Sequence, residues 1–218
     1  MSRVAVLTGE VRAVAVSKSI ATTTLLEPTD LTADPGEGVV LRGPNGSGKT
    51  TLLRIIGGLL EPTTGTASVG GRPADERDPA VRAAVAALIG TPTTYRDLTL
   101  VDHLVLVDST WGHDPGTSDQ RGLQLLESLG IGDLDDRFPH ELSSGQEQLF
   151  RLALTLTRPS RVLLLDEPEQ RLDTTKRQVV AGLLRARVDE GATLVMACHD
   201  PELTAALATR VVDLAPAR

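Results

Sequence analysis

Residues 43–50 read Gly-Pro-Asn-Gly-Ser-Gly-Lys-Thr, and no other stretch limits the architecture of this chain as tightly. Glycines at 43, 46 and 48 let the backbone turn sharply and aim its N–H groups at one point, and a helix starting at Lys49 adds its positive end. An apolar run at 38–41 leads in, and 51–60 leads out with helical spacing, so strand, loop and helix arrive in the order that a cradle for a nucleoside triphosphate demands. Gly43, Pro44, Asn45, Gly46, Ser47, Gly48 and Thr51 then line the phosphates. Lys49 holds the outer ones, and the Thr50 hydroxyl serves a magnesium ion.

Composition sharpens that reading. The chain has three lysines, Lys18, Lys49 and Lys176, among 22 basic residues, so a composition leaning on arginine has kept lysine where a compact point charge fits between phosphates. A glycine-rich turn that binds nothing is the weaker reading. A net charge of −7, a pI near 5.1 and no run of basic residues argue against an electrostatic grip on nucleic acid. Aromatics at 2% leave few platforms for stacking bases.

The single cysteine, Cys198, cannot form an internal disulfide and reads as a core residue in a reducing compartment. No apolar stretch is long enough to span a membrane, and residues 1–10 lack the pattern of a secretion signal.

With 218 residues, one α/β domain over 1–218 is expected, with a mostly parallel sheet, an antiparallel β subdomain and an inserted α-helical subdomain near 92–157. Runs at 11–16 and 22–31 predict an antiparallel start, closed by the turn Asp34-Pro35-Gly36-Glu37-Gly38. Short strands are expected at 66–69 and 85–89, with 90–97 as loop. Helical spacing follows from 99 to 140, broken by Gly112, Pro115, Gly130 and Gly132. A helix at 144–156, a strand at 161–165, a helix at 174–189 and a strand at 193–197 restore the alternation. The sequence ends soon after, so no sizeable C-terminal regulatory domain is expected.

Three further motifs carry chemistry. Val162-Leu163-Leu164-Leu165-Asp166-Glu167-Pro168 is a buried parallel strand delivering two acids at its C-terminal end, where ligands of such sheets bind. Asp166 is the natural magnesium partner, and Glu167 could position or deprotonate an attacking water. His199, after the apolar strand 193–197, would stand beside those acids rather than serve only as a turn residue. His103, His113 and His140 lack such a setting, and no His/Cys cluster suggests zinc. Leu142-Ser143-Ser144-Gly145-Gln146 can cap the helix that follows it and offer a second anion site.

Together these residues resemble the nucleotide-binding subunit of an ABC transporter, from about residue 11 to 214. GPNGSGKTT resembles the Walker A motif, LSSGQ the family signature, VLLLDEP the Walker B motif with its catalytic glutamate, Leu172-Asp173 the end of the D-loop, and His199 the switch histidine. The resemblance implies an ATPase using ATP and Mg²⁺, with Glu167, His199 and Lys49 catalytic and Thr50 and Asp166 at the metal. It implies a homo- or heterodimer closing head to tail around two ATP molecules, the signature residues 142–146 of one subunit completing the site of the other. It also implies a separate integral membrane permease that docks on the helical lobe, and a cytoplasmic position on the inner face of the membrane.

Departures from the family pattern set further expectations. Gly90 or Thr91 stands where a glutamine normally meets magnesium and the attacking water. Ile20 takes the place of the adenine-stacking aromatic, so the base gains only an aliphatic contact and affinity is expected to fall. Ser144 replaces a signature glycine and is expected to strain that loop. Gln170 and Arg171 replace small residues before Leu172-Asp173. Two alternatives therefore stay open: a nucleotide-gated binding module with weak hydrolysis, one half of an unequal dimer, and a soluble ABC-type factor.

Overall fold

The computed structural model describes residues 6–216; the reading of residues 1–10 as carrying no secretion signal falls partly outside them. The antiparallel strands β1 (Val11–Ile20) and β2 (Thr23–Ala33) come first, then β3 (Gly38–Arg42) leads into the phosphate loop and helix α1 (Lys49–Ile56). β4 (Thr64–Val69) and β5 (Arg72–Pro73) follow, then the short helix α2 (Pro79–Ala84) and β6 (Val85–Leu88). Helices α3 (Leu100–Thr110), α4 (Ser118–Ser128) and α5 (Ser144–Leu156) precede β7 (Val162–Asp166), α6 (Thr174–Asp189), β8 (Thr193–Ala197), α7 (Pro201–Leu207) and β9 (Arg210–Asp213).

The strands form two sheets. One is antiparallel in the order β2-β1-β4-β5, the other parallel in the order β6-β7-β8-β3-β9. Strands β6, β7, β8 and β3 of the parallel sheet are covered on both faces, which is why they are nearly unbroken apolar runs, whereas the edge strand β9 is mostly exposed. Within β7, Leu163 and Leu165 join a cluster with Leu149, Phe150 and Leu152 of α5, Leu100 and Leu104 of α3, and Val180 and Leu184 of α6. Val162 and Leu164 face the other way, into a cluster with Leu52, Leu53, Ile55 and Ile56 of α1 and with Val11, Val16 and Leu26 of the antiparallel sheet. Period-two alternation thus assigns successive residues of one strand to two cores.

Sheet register fixes the functional edge. Ala197 pairs with both Leu41 and Asp166, so β3, β8 and β7 end level with one another. The three segments that follow, beginning at Gly43, Cys198 and Glu167, therefore leave the same edge, at the carboxyl ends of the strands.

Local chemistry explains the helix starts. Thr99 and Asp102 form a reciprocal capping box on α3, Asp173 caps α6 through the N–H of Lys176 at 2.9 Å, and Asp200 caps α7 through that of Leu203 at 2.7 Å. α3 and α4 lie on either side of Gly112 and Pro115, two of the breakers in the helical pattern. α1 stops at Ile56, four residues short of the expected end, because Gly57 and Gly58 close it.

Candidate active site

The loop between β3 and α1 is built around its glycines. Gly48, at φ +91° before α1, lies so near β2 that a Cβ there would come within 2.6 Å of the carbonyl oxygen of Leu25. Gly46, at φ +81°, faces open space instead, leaving room over the loop. Pro44, Asn45 and Gly46 are exposed, whereas Ser47, Gly48 and Lys49 are buried and Thr50 and Thr51 half-buried. The Lys49 ammonium, 6% exposed, donates to the carbonyls of Gly43 at 2.8 Å and Pro44 at 3.1 Å. Those carbonyls hold the cation inside the loop opening.

Thr50 and Asp166 meet across 116 residues of sequence: the Thr50 hydroxyl donates to Oδ2 of Asp166 at 2.7 Å. Two hard oxygen donors at the loop's rim, one of them anionic, suit a magnesium ion.

Glu167 takes a left-handed backbone, φ +51°, at the end of β7. Its N–H donates to the carbonyl of Ala197 at 2.9 Å, tying the turn to β8. One carboxylate oxygen lies 3.4 Å from Nε2 of His199, and the other accepts from the Gln170 amide at 3.0 Å. His199 is itself held: its backbone N–H donates to Oε1 of the buried Glu169 at 2.7 Å. Beside it, burial and the charge of Glu169 push the Cys198 thiol up to about 12, so it stays protonated.

Ser143 and Gln146 form a reciprocal cap on α5, Ser143 N–H donating to Gln146 Oε1 at 2.9 Å and Gln146 N–H to Ser143 Oγ at 3.4 Å. Leu142 is half-buried, Ser144 is exposed as the first residue of α5, and Gly145 is buried against the backbone of Arg171. The strain expected at Ser144 does not appear, because the left-handed non-glycine residues are Ala15, Ala21, Glu167 and Arg171. A helical first turn lets Ser144 point outward. Ile20 is 59% exposed at the end of β1.

Lys49, Thr50, Asp166, Glu167 and His199 are thus gathered at one edge, while residues 142–146 open a separate helix. Sequence reading passed over Gln148, Arg151 and Glu169. The signal for Gln148 was present: with Gly145, Leu149 and Leu152 it makes the i, i+3, i+4, i+7 stripe of a buried helix face, and it is the polar member of that stripe. Glu169 carried no such mark.

A family model described as ABC transporter matches residues 26–170. The chain belongs to the ABC transporter family. Among curated proteins of this family, it is 37% identical to the sulfate/thiosulfate import ATP-binding protein CysA of Brucella melitensis, over 96% of this chain and 59% of that protein. It is 38% identical to a Streptomyces coelicolor protein provisionally named an ABC transporter ATP-binding protein, over 94% of this chain and 36% of that one. The chain therefore spans between about a third and three fifths of the length of these relatives. Among solved structures, the ATP-binding subunit of an ABC transporter superposes with a TM-score of 0.83 at 26% identity, over 94% of this chain and 85% of that one. A dimeric ATP-binding cassette bound to ADP and Pi superposes with a TM-score of 0.83 at 24% identity, over 94% of each, and shows the shared fold. The mixed α/β architecture with one parallel and one antiparallel sheet is that of ABC cassettes, as expected from the sequence. Among the described residues no helix is long and apolar enough to cross a membrane.

Proposed function

We propose that residues 1–218 form a single ATP-binding domain, with a helical subdomain near 92–157, that hydrolyses ATP and powers transport through a separate membrane permease. The observation that carries this reading is the Glu167 carboxylate, 3.4 Å from His199 Nε2, at the same sheet edge as the Thr50–Asp166 pair. Lys49 exchanges its two carbonyl partners for phosphate oxygens, assisted by the N–H groups of residues 43–51, and Ile20 gives the base an aliphatic contact. Thr50 and Asp166 hold the magnesium ion, which when bound supplies positive charge at the phosphate oxygens. Glu167 takes the proton of the attacking water, and His199 steadies the terminal phosphate.

A head-to-tail dimer, homo- or heteromeric, would bring residues 142–146 of one copy to the nucleotide of the other; the capped N-terminus of α5 gives them a positive helix end suited to a phosphate. Permease docking is supported by a groove of about 260 Å³ lined by Gly90, Pro92, Tyr95, Leu106, Arg151 and Leu154, in which Tyr95 and Leu106 are exposed apolar anchors. Docking there would hold this chain on the cytoplasmic face of the membrane. The import role in the relatives' names supports transport without fixing cargo or direction.

Steady-state release of phosphate from ATP tests the hydrolytic reading. The unmutated chain should turn over and Glu167→Gln should lose at least about 100-fold in kcat while still binding ATP. ATP binding without turnover in the unmutated chain, alone and with its permease, would favour the gated module. That second reading is motivated by Gly90, which offers no side chain toward the site.

A further inference from the structure

Gln148 and Arg151 stand three residues apart on α5 and therefore share a face. Gln148 is 3% exposed, and its Nε2 donates to the carbonyls of Glu167 at 3.1 Å and Pro168 at 3.3 Å. Its Oε1 accepts from the Arg151 guanidinium at 3.1 Å, and another nitrogen of that guanidinium donates to the carbonyl of Gly90. These contacts form one unbroken line: Gly90 carbonyl, Arg151 guanidinium, Gln148 amide, Glu167 carbonyl. Arginine suits the middle position because its planar fork can donate in two directions at once, which an ammonium on a single stem does poorly.

Both ends of the line are conformationally special. Gly90 sits at φ +75° in the loop after β6, and Gly90 and Arg151 both line the groove that exposes Tyr95 and Leu106. At the other end, the left-handed Glu167 has its carbonyl bonded by Gln148 and also by the Gln170 N–H at 3.1 Å. A residue in that backbone state has its side-chain direction set by whatever holds its peptide groups. Shifting the Gly90 carbonyl would pull on the guanidinium, then on a buried amide with little freedom to compensate, then on the turn that aims the carboxylate.

We infer that Arg151 and Gln148 are positioning residues that make the aim of the Glu167 carboxylate depend on the placement of the loop at Gly90, and so on what occupies the adjoining groove. This rests on the reading of Glu167 as the base that activates water.

A double-mutant cycle on ATP turnover by the full chain tests it. Arg151→Met keeps the aliphatic stem and removes both donations, and Gln148→Met keeps the length and removes the amide. Each should lower kcat about fivefold with the KM for ATP unchanged, and the double variant should fall by about the same factor, because members of one line are not additive. Arg151→Lys, with one compact donor head, should resemble Arg151→Met rather than the unmutated chain. Multiplied effects in the double variant, or unchanged kcat in Arg151→Met, would overturn the inference.

Amide hydrogen exchange of the nucleotide-free chain reads the same line without hydrolysis. Arg151→Met should speed exchange at Glu167 and Gln170 as well as in the loop at 89–95, whereas loosening confined to that loop would refute the link. If the unmutated chain binds ATP without turnover, the proposed function fails while the exchange result still decides the relay.

Discussion

The side chains of Gln170 and Glu167 meet across the turn that ends β7, the amide nitrogen donating to Oε2 of the carboxylate at 3.0 Å while the Gln170 backbone N–H donates to the Glu167 carbonyl at 3.1 Å. One residue therefore closes the turn and grips the acid it carries. A carboxylate bonded once on an oxygen keeps a second lone pair there, so the grip orients Glu167 without blocking it. On the proposed reading of Glu167 as the base, Gln170→Ala should lower kcat for ATP about threefold with little change in KM, because the contact orients that carboxylate. Steady-state kinetics checks it, and a change in KM with kcat preserved would assign Gln170 to nucleotide binding instead.

Lys49 occupies a slot fitted to an ammonium group, between the carbonyls of Gly43 and Pro44 at 2.8 and 3.1 Å. A planar guanidinium is wider and carries its donors in a fixed fork. Lys49→Arg should therefore fail almost as fully as Lys49→Ala, each weakening ATP binding by at least about tenfold, the loss of one charge-assisted contact of about 1.5–3 kcal/mol. Calorimetric titration measures this, and near-normal affinity in the arginine variant would show that charge alone suffices.

The parts of this site that depend on contiguous residues were legible in the sequence. Gly43 to Thr50 and Val162 to Pro168 encode strand, turn and chemical groups within one short span, so reading them requires no knowledge of the rest of the chain. The contact between Arg151 and the Gly90 carbonyl was not legible, since the two residues are 61 apart in sequence and Arg151 belongs to no motif. Helix α7 was not expected from the sequence, although an aspartate before a proline suits a helix start, and Asp200 caps α7 there. β9 escaped notice because its four residues offer only two apolar side chains between an arginine and an aspartate, and its place in the sheet comes from pairing with β3. The helix α2 was missed for the same reason, being six residues long.

Gly145 and Arg171 press together where α5 meets the segment after Glu167. A Cβ at Gly145 would come within 2.9 Å of the Arg171 carbonyl oxygen, closer than a carbon and an oxygen can sit, and Arg171 is itself left-handed at φ +64°. Gly145→Ala must displace that carbonyl and should cost about 1–3 kcal/mol. Arg171→Gly should gain up to about 1 kcal/mol, the relief of a left-handed side chain less the added entropy of a glycine. Denaturant unfolding of both variants checks the pair, and destabilisation by Arg171→Gly would mean that the side chain contributes more than its backbone costs.

Asp108, buried at the C-terminal end of α3, gives stability a pH dependence that can be worked out in advance. Burial raises its pKa, but hydrogen bonds from Arg121, Ser118 and His113 outweigh that and leave it well below the usual carboxylate range. A carboxylate depressed in the folded state contributes stability above its unfolded pKa, about 3.9, and loses it as pH falls through the folded value. Asp108→Asn should therefore destabilise the chain at pH 7. Arg121 and His113 are 38% and 36% exposed, so water screens them and the loss is placed at about 2 kcal/mol, below the 3–5 of a fully buried pair. Lowering the pH below about 4 should protonate the unfolded chain first and narrow the gap between variant and unmutated protein. Denaturant midpoints at pH 7 and at pH 3.5 decide the matter: a gap that stays constant, or widens, would show that Asp108 stabilises by packing rather than by charge.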